Sequence, residues 1–146
     1  MAHSSSAMGR FNHLLGETTA AYHEVAVRLG LSDSVMNVLY TLYDCPGGRC
    51  ALQELCRWTG ISKQTVNSAL RRLEAEGVLY LERTGGKRKT VCLTGAGFAL
   101  AEGTVSKIME AENAVFAAWS PEEVETYLTL TERYLSAFRE EAKGRI

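Results

Sequence analysis

Gln64, Asn67 and Arg71 stand three and four residues apart. An amide side chain can bond an adenine edge through two parallel hydrogen bonds, and a guanidinium can do the same to a guanine. On a helix, spacings of 3, 4 and 7 place Gln64, Asn67, Ser68 and Arg71 on the face opposite Val66 and Leu70. Ser62 and Thr65 fall at the start of that helix, where free backbone N–H groups favour a phosphate. Lys63 and Arg72 add charge to the same outer surface, and Arg83, Lys87, Arg88 and Lys89 follow within a short distance of chain. The chemistry these residues share is contact with the base edges and backbone of double-stranded DNA.

Such a helix needs a second one to hold it. Leu52 and Leu55 lie on one face of a helix at about 51–58, Gly60 allows a turn, Ser62 caps the next helix at about 62–76, and Val66, Leu70 and Leu73 recur on its inner face. This is the spacing of a helix-turn-helix whose second member enters a major groove. After Gly77 the period changes. Val78 to Leu81 is expected as a strand, Thr84-Gly85-Gly86-Lys87 as a turn and Thr90 to Leu93 as the returning strand. A two-stranded hairpin after a recognition helix is a wing, and the tip of this one is basic.

Charge is distributed accordingly. From Arg57 to Lys89 eight basic residues face three acids, a block of +5, while the whole chain is −1, so the remainder is −6. A basic segment on an acidic body is the electrostatic footprint of a DNA reader. The 146 residues contain no apolar run of the length a bilayer requires, so no membrane span is expected. Met1 to Gly9 lacks the pattern of a signal peptide. Residues 1–9 are expected to be a disordered leader or cloning remnant, and the chain is expected to be cytoplasmic. No glycine-rich phosphate loop, Ser-His-Asp or Cys-His arrangement, or paired carboxylate in a cleft-like setting is present, which argues against an enzyme. No cofactor and no metal are expected.

Four cysteines raise a separate possibility. Cys45 and Cys50 flank Pro46-Gly47-Gly48-Arg49, close enough to meet across a loop, with Cys56 nearby. Arg49 between them is positioned to lower a thiol pKa, which would suit a redox or soft-metal sensor. Inert small side chains are the competing explanation, since no histidine lies near this loop and zinc wants four ligands. His13 and His23, ten residues apart, form no local metal pair.

The remaining chain is helical in pattern. Phe11, Leu14, Leu15, Thr18, Tyr22, Val25 and Leu29 recur at helical spacing over about 10–29, and Gly30 stops the helix. Ser32 or Asp33 caps a second helix, apolar on most faces and so expected to be deeply buried. Thr94 caps a long helix over about 95–117. Ser120-Pro121-Glu122-Glu123 starts a last one, about 121–143, with a cap, a proline at its first position and a glutamate at its third. Its stripe of Val124, Leu128, Leu135 and Phe138 belongs, with the other end helices, to a region that a small winged domain has no need of. Two chains sharing these helices would explain them, and a homodimer would set two recognition helices one turn of DNA apart. The expected organisation is mainly α with a small β-hairpin wing. A winged helix-turn-helix DNA-binding domain occupies 31–94, and a helical dimerisation region is built from 10–30 and 95–146.

In this order of elements the chain resembles the MarR family of bacterial transcription regulators. The resemblance covers nearly all of residues 10–143 and includes the Gly77-Val78-Leu79 step and the run Leu93-Thr94 with Gly95 and Gly97. It implies an obligate homodimer that straddles a pseudo-palindromic operator, usually as a repressor, often released by a small-molecule effector. Such effectors bind where the first, second and fifth helices meet, which points to Tyr22, His23, Met36, Tyr40 and Phe98. The wing departs from the family pattern: Gly85 stands where an aspartate is common and Lys87 where an arginine reaches the minor groove. Lysine keeps the charge and loses the planar fork. The competing reading from another class is a winged helix that binds a partner protein.

Overall fold

The computed structural model describes every residue except Thr84 and Lys87. The element order is α1 (Ser6–Leu29), α2 (Asp33–Asp44), a 3-10 turn (Pro46–Gly48), β1 (Arg49–Ala51), α3 (Leu52–Thr59), α4 (Lys63–Ala75), β2 (Leu79–Arg83), β3 (Lys89–Leu93), α5 (Gly95–Gly103), α6 (Val105–Ala117) and α7 (Pro121–Arg145). Two compact units result, Met1–Ser106 and Lys107–Ile146. No helix among the described residues is long and apolar enough to cross a membrane.

The core of the first unit forms around α2. Val38, Leu39 and Leu42 are fully buried on it, and it packs against α3, α4, α5 and β3. Ser32 caps it, its side chain accepting from the Val35 amide at 3.3 Å. The inner faces of the neighbours are the ones that periodicity assigns: Leu55 on α3, Val66, Ala69, Leu70 and Leu73 on α4. Each large aliphatic side chain buried this way contributes about 1.5–3 kcal/mol. The sheet is antiparallel in the order β1-β3-β2.

In the second unit Ser120 and Glu123 form the expected capping box, with reciprocal bonds of 2.9 and 3.1 Å. Phe116, Trp119 and Tyr127 cluster at the corner that precedes α7, with ring centroids 5.2–6.2 Å apart.

Three expectations are corrected. Residues 6–9, assigned to a leader, are helical: the Ser5 side chain accepts from the Met8 amide at 3.1 Å and starts α1 there. The single helix over 95–117 is two, α5 and α6. Thr104 leaves helical geometry at φ −128°, ψ −86°, and its hydroxyl donates to the Leu100 carbonyl at 2.6 Å. A glycine followed by a hydroxyl that competes for backbone is a weak point in any helix. Finally, the wing hairpin has a third strand, β1, which pairs with β3 from Arg49↔Cys92 to Ala51↔Thr90.

Candidate nucleic-acid interface

The turn between α3 and α4 is tight because Gly60 adopts φ 66°, ψ 10°, a left-handed conformation that glycine enters without a Cβ penalty. Ser62 then accepts from the Thr65 amide at 3.2 Å, and its hydroxyl donates to the Thr65 hydroxyl at 2.8 Å. This fixes the first turn of α4 and leaves both residues exposed, next to the positive end of the helix.

With Val66, Leu70 and Leu73 facing inward, the residues between them face outward. Lys63, Gln64, Ser68, Arg71 and Arg72 are exposed with Ser62 and Thr65, and Asn67 is half-buried at the edge of the same face. Arg72 is partly engaged: its Nε lies 3.3 Å from Glu76 one turn on. Exposed pairs of this kind are worth little, so a phosphate can replace the carboxylate.

The wing is held from both sides of β3. Its hairpin register runs from Leu79↔Leu93 to Arg83↔Lys89. Arg83 and Lys89 are therefore directly opposed at the last pair before the turn, an arrangement of like charges that costs a free hairpin stability. Both are exposed, as is Arg88. Gly85 and Gly86 take positive φ angles of 64° and 80°. Lys87 lies outside the described residues. On the far side, Arg49 of β1 reaches over β3 to Glu82 of β2 at 3.1 Å. That bond raises the Arg49 pKa further above its ordinary value. Sequence reasoning missed this strut, since a strand of three residues is too short to stand out in the sequence.

Around the cysteine loop, Arg49 is paired with Glu82. The Cys50 thiol is pushed up to about 12, first by burial and then by its hydrogen bond with Cys45. A folded thiol that keeps its proton above the ordinary 9.0 destabilises the fold as pH rises past that value, because only the unfolded chain ionises there. At pH 8 iodoacetamide should therefore alkylate the half-buried Cys45 and Cys56 before the buried Cys50 and Cys92. Peptide mapping over time checks this, and rapid labelling of Cys50 would contradict it.

The five effector-pocket residues are not brought together. Tyr22, His23 and Met36 line a cleft between α1 and α2 of about 300 Å³, with Thr18, Thr19, Asp33 and Asn37. His23 pairs with Asp33 across it at 2.9 Å. Tyr40 opens instead onto a second cleft at the end of α2. Phe98 packs edge-on to Tyr43, with ring centroids 6.4 Å apart, and against the buried Gly48. Helical spacing puts all of these residues on apolar faces but does not say which neighbour each face meets.

The family model described as the MarR family matches residues 29–89. No curated protein sequence matches the chain. Among solved structures, a MarR family regulator from Neisseria meningitidis superposes with a TM-score of 0.86 at 15% identity, over 97% of this chain and 100% of that one. A MarR family transcriptional regulator from Streptomyces coelicolor, solved in complex with DNA, gives 0.70 at 17% identity over 94% and 91%. BpsR from Bordetella bronchiseptica, solved to explain regulation of its DNA binding by 6-hydroxynicotinic acid, gives 0.64 at 24% identity over 86% and 98%. These likenesses extend the winged helix-turn-helix fold of the matched block to the surrounding helices. Residues 29–89 are thus the block that matches the MarR family, and the chain around them has the fold of MarR-family winged helix-turn-helix regulators.

Proposed function

We propose that the protein is a cytoplasmic, homodimeric repressor that binds a pseudo-palindromic operator and is released by a small-molecule effector. The observation that carries the DNA reading is the division of α4 into two faces. Val66, Leu70 and Leu73 are 0–3% exposed, while the amides, hydroxyls and guanidinium groups between them face solvent. Ser62, Lys63, Thr65 and Arg72 would hold phosphates, and Gln64, Asn67, Ser68 and Arg71 would meet base edges. Arg83, Arg88 and Lys89, with Lys87, would neutralise the backbone beside the adjacent groove. Residues 31–94 would do the reading, while 10–30 and 95–146 would bring two such blocks together.

The effector reading rests on the α1–α2 cleft. Its wall sets Tyr22, Asn37 and the His23–Asp33 pair beside the apolar Met36, a combination suited to a small aromatic ligand. The Bordetella relative, whose DNA binding responds to 6-hydroxynicotinic acid, supports that class of ligand. A ligand there would bear on a helix of the dimer region and on the central helix of the winged block at once.

The test is an anisotropy titration of the purified chain against a labelled duplex from its own upstream region. A scrambled duplex is run beside it over a range of salt. Preference for the native duplex, with affinity that falls steeply as salt rises, is the expected result. Failure to bind either duplex at low salt would overturn it in favour of a protein partner. In the same assay Arg71→Ala should weaken specific binding by about 1–3 kcal/mol and leave the scrambled duplex nearly unaffected.

A further inference from the structure

We infer that the cleft where α2 ends beside α3 is a binding site for a compact organic cation with an apolar body, of the quaternary ammonium class. The cavity measures about 340 Å³ and is lined by Tyr40, Thr41, Asp44, Cys45, Pro46 and Trp58. It shares no lining residue with the α1–α2 cleft, so it is a second site.

Two features of its wall select the ligand. The first is aromatic. Trp58 is 59% exposed although its helix is otherwise folded inward at Leu55, and Tyr40 lies on the same wall. Indole is the ring whose face holds a cation best, and the interaction strengthens when the cation is poorly hydrated. The second is charge. Asp44 is the single charged residue on the wall. Between residues 44 and 58 the other charged side chains are engaged: Arg49 with Glu82 at 3.1 Å, and Arg57 with Glu54 at 3.6 Å. Asp44 has no ion pair among the described residues. A carboxylate left without a cation on the wall of a cavity that also presents Tyr40 and Trp58 is complementary to one kind of guest. Metal ions fit poorly, since one carboxylate and one thiol are too few ligands, and no group of three His, Cys, Asp or Glu side chains that could hold one exists among the described residues. Anions are repelled by Asp44.

The experiment uses choline and its neutral isostere 3,3-dimethylbutanol as probes on the full chain. Titration calorimetry gives the binding. Tryptophan emission from a Trp119→Phe variant, which leaves Trp58 as the sole indole, reports the place. Choline should give a saturable heat and a saturable change in Trp58 emission, and 3,3-dimethylbutanol should give neither. Asp44→Asn should raise the choline Kd about tenfold or more with an unchanged circular dichroism spectrum. Trp58→Leu should abolish the heat, and Trp58→Phe should keep part of it. No saturable signal with choline, an equal response to the alcohol, or an unchanged Kd in Asp44→Asn would each overturn the assignment. DNA affinity measured without choline is independent of these outcomes, so the regulator reading stands or falls separately.

Discussion

Replacing Leu128 and Leu135 together by aspartate should leave a folded monomer that binds operator DNA roughly 10²–10⁴-fold more weakly, the loss expected when two linked reading heads become one. Tyr127, Leu128, Tyr134, Leu135 and Phe138 are 41–56% exposed along one stripe of α7, and no residue of α7 is buried. On α1, Phe11, Leu14 and Leu15 are 36–52% exposed. Apolar stripes of this extent on two long helices are unusual in a monomer and mark an interaction surface. Neither leucine holds up the interior of its own chain, so two carboxylates there should spare the helix and destroy the association. Sedimentation at micromolar concentration should show half the wild-type mass, with the circular dichroism spectrum unchanged. Glu132→Gln on the same helix should alter neither. A doubly substituted protein that stays dimeric would place the interface elsewhere.

Gly97→Ala should lower stability by about 3 kcal/mol, a fall in Tm of roughly 10 °C for a chain of this size. Gly97 sits in the first turn of α5 with helical backbone, so conformational freedom is not what it supplies. A Cβ there would run into the Val78 carbonyl oxygen and come within 3.0 Å of the Leu93 side chain. The carbonyl cannot swing aside, because it accepts from the Thr94 amide at 3.0 Å. Helix α5 would have to lift away from the start of β2. Gly95→Ala, one turn edge away, meets nothing within 4 Å and should hold or raise Tm, since alanine is the better helix former. Thermal unfolding of the two variants side by side separates steric contact from helix propensity.

Local signals carried most of the reading of this chain. Gly60 and Ser62 mark a turn and a cap that only nearby residues decide, and Val66, Leu70 and Leu73 repeat at a period that only a helix buries. Ser120, Pro121 and Glu123 fixed a helix start to the residue. What stayed hidden depends on partners far along the chain. Strand β1 exists because β3 offers it a free edge, which three residues cannot announce. Arg49 could be placed beside two cysteines by spacing, whereas its real partner lies thirty-three residues on. Phe98 and Tyr40 fit an apolar face in the sequence, but Tyr40 lines the cleft at the end of α2 and Phe98 packs on Tyr43, apart from Tyr22 and His23. The outer face of α4 was legible as a set, because whatever does not face inward on a buried helix must face out.

The Thr94 side chain joins two elements that sequence treats as separate. Its hydroxyl donates to the Gly77 carbonyl at 2.6 Å, just past the end of α4, and accepts from the Gly97 amide at 3.0 Å, inside α5. The end of α4 and the entry of α5 are thereby tied through one atom, so neither helix end can shift without straining the other's hydrogen bond.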